Sequence, residues 1–463
     1  MKFIQYMHNR LGDFWWYSLM LFCACRAADL LNAFVGMWLV PKYVEPSELG
    51  AVMPLTQFAN FLAIPIAAFA NTFRNELTRL SIGREFGRLK TLMRGVFVAT
   101  AVFLFLSIIF ARFMLPAFLE RIRIAEGSLG LVIIAASFVG AIAPIYSNAL
   151  QALKKFKAQS LLSIIGAPVR LLTMLAAMPF RALTGYFVGQ ASVPIFNIIA
   201  SIFTLRKELS VPAEPYWSRV TTKRFLSLFA LFALGGTIAG FNGLVESTVL
   251  RHGLPDLDSA GFYMASRFSE IASYLFAAIN LTLFPLAAEL ASKHGARRKL
   301  VAKAILANIA FCVSVGGVFC LIGRQVLSLL PHGAEYSAYW WAIPWLVAIS
   351  TISSVQGLYI TAETASERFG WMKWYLPLDL AYPVLLLLIT GYGSYANILP
   401  SSWGVFLATH NIRSLDTMLW WMSVNNVIKT TVCLVAMCRH TGEALSMCTE
   451  ELDGTSKAHS PNE

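Results

Sequence analysis

Residues 260–285 read AGFYMASRFSEIASYLFAAINLTLFP. The stretch is long and apolar enough to cross a bilayer, whose hydrocarbon core takes about 20 helical residues. Yet Arg267 and Glu270 lie inside it. An ionised side chain at mid-membrane costs about 3 kcal/mol or more, so it normally faces a cavity or a partner. Read outward from there, the rest of the chain is of the same kind. Of 463 residues, 57% are hydrophobic and 13% charged, and mean hydropathy is +0.62. A soluble domain carries about twice that charged fraction, so the class is a polytopic membrane protein.

Twelve apolar spans are expected, at about 15–40, 50–73, 95–115, 129–151, 160–178, 182–205, 225–250, 260–290, 301–323, 340–362, 374–393 and 417–438. Backbone in lipid must satisfy its own hydrogen bonds, and the spans lack the short alternating segments of a barrel, so they are helices. The fold class is therefore all-α. The net charge of +12 does not point to nucleic acid, because Lys and Arg cluster in short loops. The N-terminus, loops 74–94, 153–158, 206–224, 292–300 and 363–373, and the C-terminal tail hold 24 of the 37 cations. By the positive-inside rule these segments, and both termini, are cytoplasmic. The first span carries Arg26 and Asp29 and no small-residue cleavage site, so it reads as retained, not as a signal peptide. The seven cysteines are scattered and form no metal-type pair. The polar tail 441–463 is expected to be disordered.

LGAVMPLTQFANFLAIPIAAF, from Leu49, resembles AGFYMASRFSEIASYLFAAIN, from Ala260. Gly50 and Gly261 open the two helices, and Gly83 and Gly295 lie in the basic loops that follow, at offsets of 211 and 212. Both copies follow an odd-numbered span. The expected architecture is thus two six-helix lobes, 1–210 and 211–440, related by an axis along the membrane normal. Such halves place the substrate between them and rock.

Four cations lie deep in spans: Arg26, Arg170, Arg267 and Lys429. Two acids lie comparably deep, Asp29 and Glu270, each three residues after an arginine and so able to share its helix face. The sum is an excess of two positive charges. An anionic group would neutralise it, and the planar arginine fork suits phosphate oxygens. The alternative is structural: Arg26 with Asp29, and Arg267 with Glu270, as pairs that lock helices. Gln57, Asn242, Asn425 and Asn426 are candidates for a polar cavity lining. Asn425, Asn426 and Lys429 share one helical face, which equally suits hydrogen bonding between helices. Lys303, Glu289 and Asp379 read as snorkelling near cytoplasmic ends, and Glu246 as interfacial near the outer end. Gly236, Gly240 and Gly243 of span 7 suit close packing, or else a bend.

Two blocks carry a family resemblance. LVPKYVEPSELGAVMPLTQFANFLAIPIAAF, with its basic loop RNELTRLSIGREFGRL, is the first; AGFYMASRFSEIASYLFAAINLTLFPLAAELASKHGARRKL is the second. They resemble the Wzx-type polysaccharide flippases of the MATE/MOP (multidrug/oligosaccharidyl-lipid/polysaccharide) exporter superfamily, and the second is also similar to the lipid II flippases, which place an arginine at a position like Arg267. The resemblance implies a central cationic cavity and a lipid-linked sugar diphosphate as cargo, flipped across the bacterial inner membrane by alternating access. It also implies work alongside polysaccharide polymerase and chain-length machinery. Arg26, Arg170, Arg267 and Lys429 are then the diphosphate-binding candidates, with Asp29 and Glu270 as their acidic partners or coupling groups.

Two rival cargoes use the same scaffold: lipid II, and a drug or cation in a MATE-type antiporter. An exporter of organic cations calls for cavity acids, which the cation excess opposes. A membrane-embedded polymerase or glycosyltransferase is the rival of another class. Such an enzyme needs a sizeable outer loop, and the longest here is about 394–416. His252, His332 and His410 lie in separate outer loops without metal-ligand spacing. No Walker A, HExxH, G-x-S-x-G or dinucleotide fingerprint occurs, so neither a cofactor nor ATP hydrolysis is expected.

Overall fold

The computed structural model describes residues 28–456 except 29, 83–84, 125–126, 154, 290–293, 366–369 and 391–413. Arg26 and Asp29, His410 and most of the longest outer loop lie outside the described residues. Among those described, every regular element is helical. The helices are α1 (residues 30–43, with Val35–Leu39 as a π-helical turn), α2 (Val52–Ile82), α3 (Phe86–Arg121), α4 (Gly127–Ala152), α5 (Phe156–Ala177) and α6 (Ala182–Leu209). A second set follows: α7 (Arg219–Gly253), α8 (Asp256–Glu289), α9 (His294–Ser328), α10 (Ala342–Ala365), α11 (Met372–Thr390) and α12 (Leu415–Ser456). The described part of each expected span falls on one of these twelve. Among the described residues nine, α2 to α7 and α9 to α11, are long and apolar enough to cross a membrane. The chain is a multi-pass membrane protein.

One expectation is corrected at the C-terminus. The stretch from Thr441, expected to be a disordered tail, continues α12 as helix to Ser456. Its EALSMCTEEL segment is made of sound helix formers, and no proline interrupts it.

Large apolar side chains on the outside mark the lipid-facing surface, Phe180 at 86% exposure and Phe113 at 76% among them. Inside, α2 packs on α4 and α8 packs on α10, the same step six helices later. The two sets meet along α2 and α7. That seam is close because α7 is glycine-rich. A Cβ at Gly240 would stand 2.3 Å from Ile64 Cδ1, and one at Gly236 would stand 3.2 Å from Ile64 Cγ2. Nearer the basic end Phe69 packs tilted and edge-on against Phe225 and Phe229, at ring separations of 4.9 and 6.1 Å. The helix runs unbroken through all three glycines, so close packing is what they provide in this state.

The joint between α6 and α7 is extended and fastened to the first set of helices. Lys90 Nζ donates to Val211 O (2.8 Å), Thr91 Oγ1 to Glu214 O (2.6 Å), and Tyr216 Oη to Glu76 Oε2 (3.0 Å). Ser218 then starts α7 as a capping box with Thr221, satisfying two donors that the first helical turn leaves open.

Candidate substrate site and the intramembrane charges

Helix α1 lies between two of the deep arginines. Arg170, from α5, donates through Nη1 to Asn32 Oδ1 at 2.9 Å. One turn on, Gly36 lies against Arg267 of α8: a Cβ there would sit 3.2 Å from Arg267 Cδ. The π turn and the missing side chain thus bring α8 close while leaving the guanidinium room. Arg267 pairs with Glu270 at 2.9 Å and lies 4.8 Å above the Tyr263 ring, a favourable stack for a cation. Arg267 and Glu270 are near enough for their charges to act on Arg170. Three charges from two helices therefore share one region, two positive and one negative.

The partners differ in kind. Among the described residues no carboxylate stands at ion-pair distance from Arg170, and its buried Nε has no hydrogen-bond partner. The Tyr263 hydroxyl is likewise buried and unpartnered. A buried donor without an acceptor costs about 1–3 kcal/mol, so the region suits an anionic acceptor. Gln57 lies apart, on α2 beside Gly243 of α7, where a Cβ would stand 3.1 Å from its Oε1.

Lys429 lies elsewhere. It is buried between α11 and α12, bound to Asp379 Oδ1, which also accepts from Asn242 Nδ2 of α7 at 2.9 Å. The rings of Tyr375 and Tyr382 flank its ammonium at 5.6 and 5.9 Å. Asp379 is 3% exposed, which corrects its reading as a snorkelling residue: Lys429 and Asn242 satisfy it inside the bundle. Glu246, expected to be interfacial, belongs to this cluster too, where Tyr382, Lys429 and Asp379 act on it. The spacing of Asn242 and Glu246, four residues apart on one helix face, was the available signal. Lys303 is exposed near the start of α9; the side chain of Glu289 lies outside the described residues.

Asn426 joins helices. Its Oδ1 accepts from Ser353 Oγ (2.7 Å) and its backbone carbonyl from Gln356 Nε2 (2.9 Å), both on α10. Gln356 Nε2 also donates to Thr430 Oγ1 (2.8 Å). Asn425 is buried. The structure thus brings Arg170, Arg267 and Glu270 together, and gives Lys429, Asn242 and Asn426 other partners on α7, α10, α11 and α12.

No protein-family model and no curated protein sequence matches the chain. Solved structures do. An outward-facing MATE-family multidrug resistance transporter of the MOP superfamily superposes with a TM-score of 0.64 at 13% identity, over 94% of this chain and 98% of that one. The fold is that of the MOP-superfamily transporters. The lipid II flippase MurJ, in an inward closed conformation, gives 0.61 at 12% identity over 91% of this chain and 87% of its own. A MOP-superfamily transporter from Pyrococcus furiosus, whose binding pocket is described as having reversed polarity, gives 0.61 at 12% over 91% and 94%. These MOP-fold neighbours are transporters and flippases, not enzymes, and the two-lobed helical architecture read from the sequence is theirs.

Proposed function

We propose that this chain is a flippase for a polyprenyl-diphosphate-linked oligosaccharide in the bacterial inner membrane, working by alternating access beside polysaccharide polymerase and chain-length machinery. The observation that carries the reading is Arg170: a half-buried guanidinium within a span, held by a neutral amide and by no described carboxylate. With Arg267 and Glu270 it forms a site whose described charges sum to a positive value. A diphosphate supplies what the site lacks, namely negative charge and several acceptor oxygens at once. No bond is broken; the headgroup crosses while the lipid tail stays in the bilayer. Arg26 and Asp29, further back on α1, are proposed to extend the same site.

Lipid II carries the same diphosphate, so charge alone does not separate the two cargoes. A cation exporter is favoured by one observation only: the second cluster sets two carboxylates, Glu246 and Asp379, against one ammonium. The surplus carboxylate of that cluster suits a coupling cation or proton.

The test is flipping in proteoliposomes, with two fluorescent probes: a polyprenyl-diphosphate oligosaccharide and lipid II. The proposal expects transport of the first, lost in Arg170→Ala. Equal transport by wild type and Arg170→Ala, or transport of lipid II alone, overturns it.

A further inference from the structure

At the end of the bundle opposite the basic loops, two arginines bind one carboxylate across the joint between the two sets of helices. Arg251, in the last turn of α7, is 1% exposed. Its Nη1 lies 2.9 Å from Asp256 Oδ1 at the start of α8. Its other donors cross to the first set: Nη2 to Ser47 O at 2.6 Å and Nε to Ile122 O at 3.3 Å. Arg123 reaches the other way. Its Nη1 lies 2.7 Å from the same Asp256 oxygen, and its Nη2 donates to the carbonyls of Arg251 (2.9 Å), His252 (3.1 Å) and Leu254 (3.1 Å). A side chain from the α3–α4 turn therefore caps the C-terminus of α7, where orphan carbonyls and the helix dipole favour a cation.

The backbone at Arg123 adds an independent sign. Its φ is 61°, in the left-handed region that glycine enters freely and that other L-residues resist. Ile124 N bonds to Leu119 O and Arg123 N to Glu120 O, so Arg123 occupies the position that usually belongs to glycine in a helix-ending turn. An arginine kept there is used for its side chain, and every contact that side chain makes is to the other set of helices.

We infer that Arg123, Arg251 and Asp256 form a clasp that shuts the central passage at the outer face, and that the transport cycle must release it. The clasp is made of charge and backbone carbonyls, so water can replace each bond when the halves part. Its one carboxylate holds both arginines, which makes Asp256 the group whose removal loosens both sides together. Beside it the packing is tight: a Cβ at Gly50 would stand 2.4 Å from Ser259 Oγ, and Ser259 is 1% exposed. The closed clasp thus keeps Ser259 from solvent. The inference does not depend on the cargo.

The experiment measures labelling of Ser259→Cys by a membrane-impermeant maleimide added outside, in full-length protein whose seven native cysteines are replaced. Asp256→Asn and Arg123→Gly are each expected to raise the labelling rate at least fivefold. Arg123→Gly is the deciding variant, because glycine relieves the backbone and keeps the turn. Were Arg123 present only to shape the turn, that variant would leave labelling unchanged and raise thermal stability. Unchanged labelling in Arg123→Gly, or in Asp256→Asn recovered as monodisperse protein, overturns the clasp.

Discussion

Two of the cation–carboxylate pairs among the described residues of the membrane helices are built in opposite ways. Arg267 and Glu270 are three residues apart on one helix, with side chains 24% and 43% exposed. Lys429 and Asp379 come from different helices, are each 4% exposed, and recruit Asn242 from a third. The first pair lies within one helix and lowers the local charge there. The second closes a three-helix junction. The comparison separates a pair made within one helix from a pair that joins helices, a difference that residue type alone does not show.

Breaking the closed pair is expected to have the largest effect. Asp379→Ala leaves a buried ammonium without its partner, a loss of about 3–5 kcal/mol, read as a large fall in unfolding temperature in detergent. Replacing both residues, Asp379→Leu with Lys429→Met, should return only part of that stability, because two apolar groups replace a pair that had to be desolvated while Asn242 and Glu246 lose the groups that face them. A double variant no better than Asp379→Ala would mean that the pair itself is indispensable. At the arginine site, Arg170→Ala is expected to keep the unfolding temperature and weaken binding of a polyprenyl diphosphate about tenfold to hundredfold, the loss of about 1.5–3 kcal/mol in charge-assisted hydrogen bonds. A stability loss as large as that of Asp379→Ala would assign Arg170 to assembly instead. Asn426→Ala, which removes the acceptor from Ser353, should cost about 0.6 kcal/mol, in line with hydrogen bonds between helices in bilayers. Least of all should come from Glu270→Gln: under about 1 kcal/mol in stability, since exposed pairs contribute little. It should also give slightly tighter diphosphate binding as the site gains net charge, and weaker binding would place Glu270 among the groups that hold the ligand.

The spans were legible because a run of about 20 apolar residues has few other fates, and the charges inside them were legible because charge stands out against such a background. What sequence could not give was pairing across helices. Asp379 lies five residues into its span, a depth that suits a snorkelling chain; only the approach of α12 and α7 makes it a buried partner of Lys429. Glu246 was misplaced for the same reason, its neighbours being 130 and more residues away in sequence. The clasp at Asp256 was still harder to foresee: nothing in the residues around Arg123 announces a left-handed turn, and glycine is absent where it would normally mark one.

The fastened joint between α6 and α7 has a mechanical consequence. Three side chains of the first set hold the strap at residues 211, 214 and 216, so the slack between the sets is small on the basic face. A bundle sewn along one edge opens like a book, not like a pair of sliding panels, and its widest gape comes at the edge farthest from the stitching.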